Sequence, residues 1–596
     1  MPRRRHPVPT LLLAAASLVL AGLTTAPSAT GAPRQTEKAP VAEGTGGAVA
    51  TVDPEATRIG LEVLRKGGNA VDAAVAAAAA LGVTEPYSAG IGGGGFLVYY
   101  DAASGEVHTV DGRETAPQAM QSDAFVEDGR PIPFGEAVSS GLSVGVPGTP
   151  ETWDVVLDRW GSIDLKQALK GAAQLARRGF VVDQTFVDQT AANAARFDDF
   201  TSTAELFLPG GAPPAVGSVF RNPDLAATYD LLARDGVDAL YTGELASEIV
   251  DTVQDPPVAP DVERRVRSGL MELSDLAGYT APLREPTLVS YRGLDVYGMA
   301  PPSSGGSTVG EALNVLETFD LSGMTTTRAL HHYLEASALA FADRNRYVGD
   351  PDHVDVPLAE LLSDGFAAER ACEISPDAAL AKPVAPGVPD GDYEACGDAA
   401  GAGADQQPGQ STTHLTTADR FGNVVSYTLT IEQTGGSGIV VPGRGFLLNN
   451  ELTDFNFTDT QGGADPNLPA PGKRPRSSMS PTIVLDGGQP LLALGSPGGS
   501  TIITTVLQVL VNRIDLGMTL PEAVAAPRAS QRNTTSVLAE PAFARDGLTA
   551  LGHTFSSTGE IGAATGIELL PGGVLQAVAE PSRRGGGSAG VVEPLP

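Results

Sequence analysis

Hydrophobic and polar positions along the chain divide it into helical, strand-like and irregular stretches. Residues 53–82 read as two helices: Pro54-Glu55-Ala56-Thr57 opens the first, Gly67-Gly68-Asn69 ends it, and residues 69–81 predict an Ala-rich helix able to pack closely. A Gly-rich loop over 88–95 leads into Phe96-Leu97-Val98-Tyr99-Tyr100, a strand by its β-branched and aromatic content. Asp101 to Gly105 then turns into a second strand over 106–110. Helical patterns broken by turns fill 151–250, and 329–346 predicts another helix with Leu330, Leu334, Ala338 and Phe341 on one face. Residues 383–410 are rich in Pro and Gly with almost no apolar periodicity, which predicts an exposed, mobile linker. Strands return at 412–418, 424–431, 482–485 and 491–494, with helices at 502–514 and 520–526. Strands with helices before and after them fit layered α/β sheets, and there is no repeat of fixed period.

Composition narrows the functional classes. A chain of 596 residues exceeds one small core, although two segments can share a large one. The net charge of −32 argues against a nucleic-acid partner, which would call for basic patches. Arg3-Arg4-Arg5, an apolar run over 10–23 and small residues over 26–32 predict a signal peptide spanning 1–32. Its apolar run is shorter than the roughly 20 residues that span a bilayer, and no Cys follows Leu20-Ala21-Gly22 to carry a lipid anchor. An exported protein without a membrane anchor is expected. Cys372 and Cys396 form an isolated pair, which in an exported protein predicts a disulfide.

The candidate chemistry centres on Ser411-Thr412-Thr413-His414, where the linker ends and a strand begins. A Thr held there can attack the carbonyl of its own preceding residue. Scission leaves Thr412 with a free α-amine, whose reference pKa of about 7.7–8.0 lets it act as base for its own hydroxyl. Along 424–432, alternation puts Ser426, Thr428, Thr430 and Glu432 on one face and Val425, Tyr427, Leu429 and Ile431 on the other. Such a polar row lines a pocket or wets an edge strand. Other segments add Arg113, the carboxylates of Glu451 and Asp454 three residues apart, the hydroxyls of Ser477 and Ser478, and the adjacent amides of Gly498 and Gly499. Together they suit an amino-acid zwitterion: a guanidinium and hydroxyls for its carboxylate, acids for its ammonium, and backbone N–H groups for an oxyanion.

These segments, with Gly67-Gly68-Asn69-Ala70-Val71-Asp72 and Pro301-Pro302-Ser303-Ser304-Gly305-Gly306, closely resemble the γ-glutamyltranspeptidase family of N-terminal-nucleophile hydrolases, over nearly all of the chain past the leader. The resemblance implies an α+β fold, a four-layer αββα sandwich built jointly by two subunits, 33–411 and 412–596. It implies Thr412 as nucleophile, freed by autocleavage and hydrogen-bonded by Thr430. Arg113, Ser477 and Ser478 would hold the α-carboxylate of a γ-glutamyl group, Glu432, Glu451 and Asp454 its α-amine, and Gly498 and Gly499 the oxyanion. Donors such as glutathione, amino-acid or dipeptide acceptors, and no cofactor are implied. Many relatives have Asn where Glu432 stands, and the segment 455–472 is shorter than the lid loop of enterobacterial members and lacks Tyr. Both departures resemble a Bacillus-like branch with an open pocket.

Rival readings remain. A cephalosporin (glutaryl) acylase or a poly-γ-glutamate depolymerase belongs to the same superfamily; the pairing of Arg113 with Glu451 and Asp454 favours a substrate with both an α-carboxylate and an α-amine. Gly141-Leu142-Ser143-Val144-Gly145 matches a serine-hydrolase elbow, but Pro147, Gly148 and Pro150 disfavour the helix that must follow Ser143. A non-catalytic exported binding protein would stay uncleaved. Gly90-Ile91-Gly92-Gly93-Gly94-Gly95 matches a dinucleotide fingerprint yet lies between a helix and a strand in the wrong order, so it reads as a close-packing loop. His331 and Glu335, one helical turn apart, read as an ordinary contact, and no catalytic metal is expected.

Overall fold

Side-chain caps fix the first two helices of the computed structural model, whose described residues are 36–393 and 411–595. Asp53 accepts from the N–H groups of Glu55 and Ala56 to start α1 (Pro54–Arg65), and Asn69 forms a reciprocal capping box with Asp72 at the start of α2 (Ala70–Thr84). All of α2 is buried, as its sequence, apolar except for the capping Asp72 and the terminal Thr84, requires. The predicted signal peptide lies outside the described residues, as do 394–410.

A single 13-stranded antiparallel sheet runs through the molecule. Its strands are β1 (Val41–Thr51), β2 (Gly94–Asp101), β3 (Glu106–Gly112), β4 (Leu283–Arg284), β5 (Thr287–Tyr291), β6 (Leu294–Gly298), β7 (Thr413–Asp419), β8 (Val424–Thr430), β9 (Thr482–Asp486), β10 (Gln489–Gly495), β11 (Thr565–Leu570), β12 (Val574–Val578) and β13 (Ser588–Pro594). The order is β4-β3-β2-β8-β7-β1-β12-β11-β10-β9-β6-β5, with β13 also paired to β1. β1 changes neighbours along its length: Val41 to Gly44 pair with β12 and Gly47 to Ala50 with β7. Gly46 and Gly47 bend it through positive φ, which glycine adopts without a Cβ penalty. Past this bend β7 and β8 lie against β11 and β10, which are not their neighbours in the order. The Ser426 hydroxyl donates to Leu494 O at 3.0 Å and accepts the Thr482 N–H at 3.1 Å across that contact.

The two faces of β8 separate as alternation predicts. Val425, Tyr427 and Leu429 join a core with α2, α3 (Thr149–Trp160), α4 (Leu165–Arg178) and α5 (Pro223–Asp235). A second core joins β5, β6, β9 and β10 to α6 (Gly305–Glu317), α7 (Thr326–Tyr347) and α8 (Thr501–Ile514).

Three expectations need correction. β8 ends at Thr430, so Glu432 lies beyond the strand, in a left-handed backbone with φ 73°. The polar row of β8 is mostly interior: only Thr430 of its strand residues reaches the cleft described below, because Thr428 bonds His414 and Ser426 bonds the facing layer. The start of the linker is pinned rather than exposed, with Val384, Pro386 and Gly387 buried. Asn533 exchanges two hydrogen bonds with Val384, and Asp343 accepts the Gly387 N–H. Cys372 is disulfide-bonded, and its expected partner Cys396 lies outside the described residues. Strands β1, β4, β5, β6, β11, β12 and β13 are not among those read from the sequence.

Candidate active site

Thr412 sits immediately before β7, in the middle of the sheet, and is 3% exposed. Its Oγ1 donates to the carbonyl oxygen of Ser411 and lies 3.5 Å from Thr430 Oγ1. Thr430 Oγ1 in turn accepts the Glu432 N–H at 2.8 Å, which orients it towards Thr412. A narrow cleft opens here, lined by Arg113, Ser411, Thr412, Thr430, Glu432, Glu451, Asp454, Ser477, Ser478, Met479, Gly499 and Ile502. Every candidate except Gly498 therefore faces one space; Gly498 lines the neighbouring cavity with Arg584.

Glu451 and Asp454 occupy a 3₁₀ turn (Glu451–Asp454), where positions three apart eclipse, so both carboxylates point the same way. They meet the buried Arg113 guanidinium, one on each terminal nitrogen. Arg113 is aimed by donating Nε–H to Pro475 O at 3.0 Å and a second N–H to Arg476 O at 3.2 Å. Burial works against its charge, but the Glu451 and Asp454 carboxylates outweigh that and keep it cationic. Burial raises Glu451 to about 7 against the pull of Arg113, and raises Asp454 as well. Burial, then the neighbouring Glu451, pushes Glu114 far above the carboxylate range, so it stays neutral. A zwitterion entering the cleft can exchange partners with this triad, its carboxylate taking the guanidinium and its ammonium the freed acids.

Ser477 and Ser478 are held by the 301–306 segment and by α7. Ser303 Oγ donates to Met479 O at 2.6 Å, the Ser304 N–H donates to Ser477 O at 2.8 Å, and Arg344 donates to Ser478 Oγ at 2.9 Å. Gly498 and Gly499, both at positive φ, lead into α8, and their carbonyls accept its first N–H groups, from Thr501 at 3.2 Å and Ile502 at 3.0 Å.

Sequence reasoning missed four contributors. Arg344 supports Ser478 from α7. Arg584 donates to Thr412 O at 2.6 Å and to Ser88 Oγ at 2.8 Å. Ser411 Oγ donates to Tyr87 O at 2.7 Å and lies 2.9 Å from Ser88 Oγ. Asn450 donates to Glu432. The Arg583-Arg584 pair inside a Gly-rich tail was the available signal for one of them.

The rival motifs fare differently. Ser143 is buried and its hydroxyl donates to Val138 O and Ser140 O, both at 2.9 Å, away from the cleft. In the Gly90–Gly95 loop a Cβ on Gly93 would stand 2.1 Å from Thr430 O, so the glycine is needed for close approach to β8. His331 and Glu335 meet His553 in a buried group whose ligand atoms lie within 4.8 Å of one another. Lys382 Nζ bonds both Glu335 oxygens at 2.7 Å, placing an ammonium where a cation would compete. No helix among the described residues is long and apolar enough to cross a membrane.

Residues 56–590 match the family described as Gamma-glutamyltranspeptidase. The chain is 41% identical over 556 residues to the glutathione hydrolase proenzyme of Bacillus subtilis, covering 91% of each. It is 36% identical over 548 residues to the glutathione hydrolase proenzyme of Escherichia coli, covering 90% of each. Among solved structures, a cephalosporin acylase from Bacillus halodurans superposes with a TM-score of 0.80 at 30% identity, covering 94% of this chain and 98% of that one.

Proposed function

The chain belongs to the gamma-glutamyltranspeptidase family, and from that membership we propose that it is a glutathione hydrolase and γ-glutamyltransferase whose nucleophile is Thr412. One observation carries the reading: Arg113, Glu451, Asp454, Ser477 and Ser478 converge on the same cleft as the Thr412 hydroxyl. That set matches both charges of an α-amino acid while leaving the γ-carbonyl to the hydroxyl.

The reaction runs in two stages. In the precursor, Thr412 Oγ1 adds to the Ser411 carbonyl carbon, the peptide nitrogen leaves, and water hydrolyses the resulting ester. This gives segments 33–411 and 412–596 and a Thr412 α-amine. That amine then takes the hydroxyl proton as Oγ1 attacks a γ-glutamyl amide, with Gly498 and Gly499 N–H groups on the oxyanion and Thr430 on Oγ1. The leaving amine departs with the proton, and a γ-glutamyl ester remains on Thr412. Water releases glutamate, or an amino acid or dipeptide amine takes the acyl group. Arg113, Ser477 and Ser478 hold the α-carboxylate, and Glu432, Glu451 and Asp454 the α-ammonium. The folded-back sheet with helical cores on both sides supports the αββα sandwich, and the N-terminal sequence supports export as a soluble protein.

Intact-mass measurement of purified protein, followed by a γ-glutamyl anilide assay with and without a dipeptide, tests this. Two fragments, one starting at Thr412, and a dipeptide-dependent transfer product are expected; an uncleaved, inert chain overturns the proposal. The acylase likeness supports a second reading, glutaryl-amide cleavage. A glutaryl group offers no ammonium to Glu451 and Asp454, so the γ-glutamyl anilide should be turned over faster than the glutaryl one.

A further inference from the structure

The turn after α2, Glu85-Pro86-Tyr87-Ser88, touches Ser411 at the Ser411–Thr412 junction and is not part of the cleft lining that forms the zwitterion subsite. Tyr87 O and Ser88 Oγ meet the Ser411 hydroxyl, and Ser88 Oγ also accepts from Arg584. Arg584 is held from behind. It has a left-handed backbone (φ 53°), its N–H donates to Glu560, and Thr185 donates to its carbonyl. Lys38 donates to Gly585 O and Gly586 O. Its guanidinium thus has a fixed place between the Thr412 carbonyl and Glu85, whose Oε2 lies 3.6 Å from Arg584. That Oε2 is buried and has no hydrogen-bond partner. A buried carboxylate oxygen without a hydrogen bond is costly unless it serves the charge it faces.

We infer that Glu85 is a positioning residue, whose carboxylate anchors the Arg584 guanidinium so that it fixes the Thr412 main chain and with it the nucleophile. The inference rests on the Thr412 reaction proposed above. Nothing in the zwitterion subsite touches Glu85, so its influence falls on turnover and self-cleavage and leaves donor affinity alone. The groups facing Glu85 are Arg584 and Lys38, which favour its charge, and Asp53 and Asp183, which oppose it; Glu55 and Arg178 line the same cavity. Burial, the largest influence, raises Glu85 to about 7. The anchor therefore forms as pH rises through neutrality and is absent in acid, where the carboxyl is neutral.

Glu85→Gln keeps the shape and removes the charge, so the ratio of wild-type to variant turnover of a γ-glutamyl anilide is the readout. Below the Glu85 midpoint both proteins are neutral at this position and the ratio is near one. It should climb to about tenfold by about pH 8.5, the size of one lost charge-assisted contact, with KM unchanged. The Thr412 amine titrates in both proteins and cancels from the ratio. A ratio that is flat with pH, or a change confined to KM, overturns the assignment. If Glu85→Gln does not accumulate folded, Glu85→Asp keeps a carboxylate at shorter reach, and the same wild-type-to-variant ratio should rise with pH by less than about tenfold; a ratio above one that is flat with pH overturns the assignment as well. A wild type that is uncleaved and inert sinks the underlying reaction instead, and is recognised before any variant is made.

Discussion

At the scale of single residues, Thr412 is the position on which most depends. Thr412→Ala should leave one uncleaved band on a denaturing gel and reduce anilide turnover by about 10⁴-fold or more, whereas Thr412→Ser should retain cleavage at a lower rate. Arg113 tests recognition separately from chemistry. Its two terminal nitrogens face two different carboxylates while Nε–H holds Pro475 O, a planar fork that a lysine ammonium cannot reproduce. Arg113→Lys should therefore lower kcat/KM by about 10–100-fold, mainly through KM, with self-cleavage intact, because Arg113 makes no contact with Ser411. The residues read from sequence fall in the cleft because each lies in a short segment whose local geometry presents it: a strand start for Thr412, a 3₁₀ turn for Glu451 and Asp454, a glycine turn for Gly499. Arg344, Ser88 and Arg584 were not legible. Their roles come from α7, from the turn after α2 and from a tail loop, and only the tertiary fold brings those elements to the junction.

At the scale of elements, β7 does more than follow Thr412. His414, two residues on, points into the contact between β7–β8 and β10, and a Cβ on Gly495 would stand 2.3 Å from its ring. Its Nδ1 lies 2.8 Å from Thr428 Oγ1 and its Nε2 3.2 Å from Thr416 Oγ1, and burial lowers its pKa from 6.5 to about 3. The folded protein thus holds this ring neutral where the unfolded chain would bind a proton. Stability contributed by His414 is complete above about pH 6.5 and is lost as pH falls towards about 3. Raised carboxyls such as Glu451 act in the opposite sense, losing their contribution as pH rises through about 7. The variant-minus-wild-type difference isolates the histidine: denaturant melts of His414→Gln between about pH 6.5 and 3.5 should fall less steeply, by at most about one proton in slope. Periodicity located β7 and β8 and the two faces of β8, but could not foresee Glu432 turning off the strand. That depends on a left-handed residue and on Asn450, supplied by a distant loop.

At the scale of the whole molecule, scission after Ser411 would cut a chain whose pieces are interleaved. β2, β3 and β4 come from the earlier segment, β8 and β7 from the later, β1 from the earlier, β12 to β9 from the later, and β6 and β5 again from the earlier. Each boundary in that order is a ladder of backbone hydrogen bonds. The two fragments should therefore co-migrate at native conditions and separate only in the same denaturant transition that unfolds the sheet. Fragment 412–596 made alone should be insoluble, as it lacks the strand that fills its centre. Dissociation without loss of helical signal in circular dichroism would contradict this. The sequence pointed to layered sheets, but not to this shuffling, because register between strands hundreds of residues apart leaves no periodic trace along the chain.

That same interleaving puts a clock on maturation. β1, among the first segments to leave the ribosome, is completed by β13, which ends only at Pro594, and the guanidinium gripping Thr412 belongs to residue 584 of 596. Under the proposed self-cleavage, a nascent polypeptide cannot complete the surroundings of Thr412 until translation is all but finished, so scission should follow synthesis of the last strand.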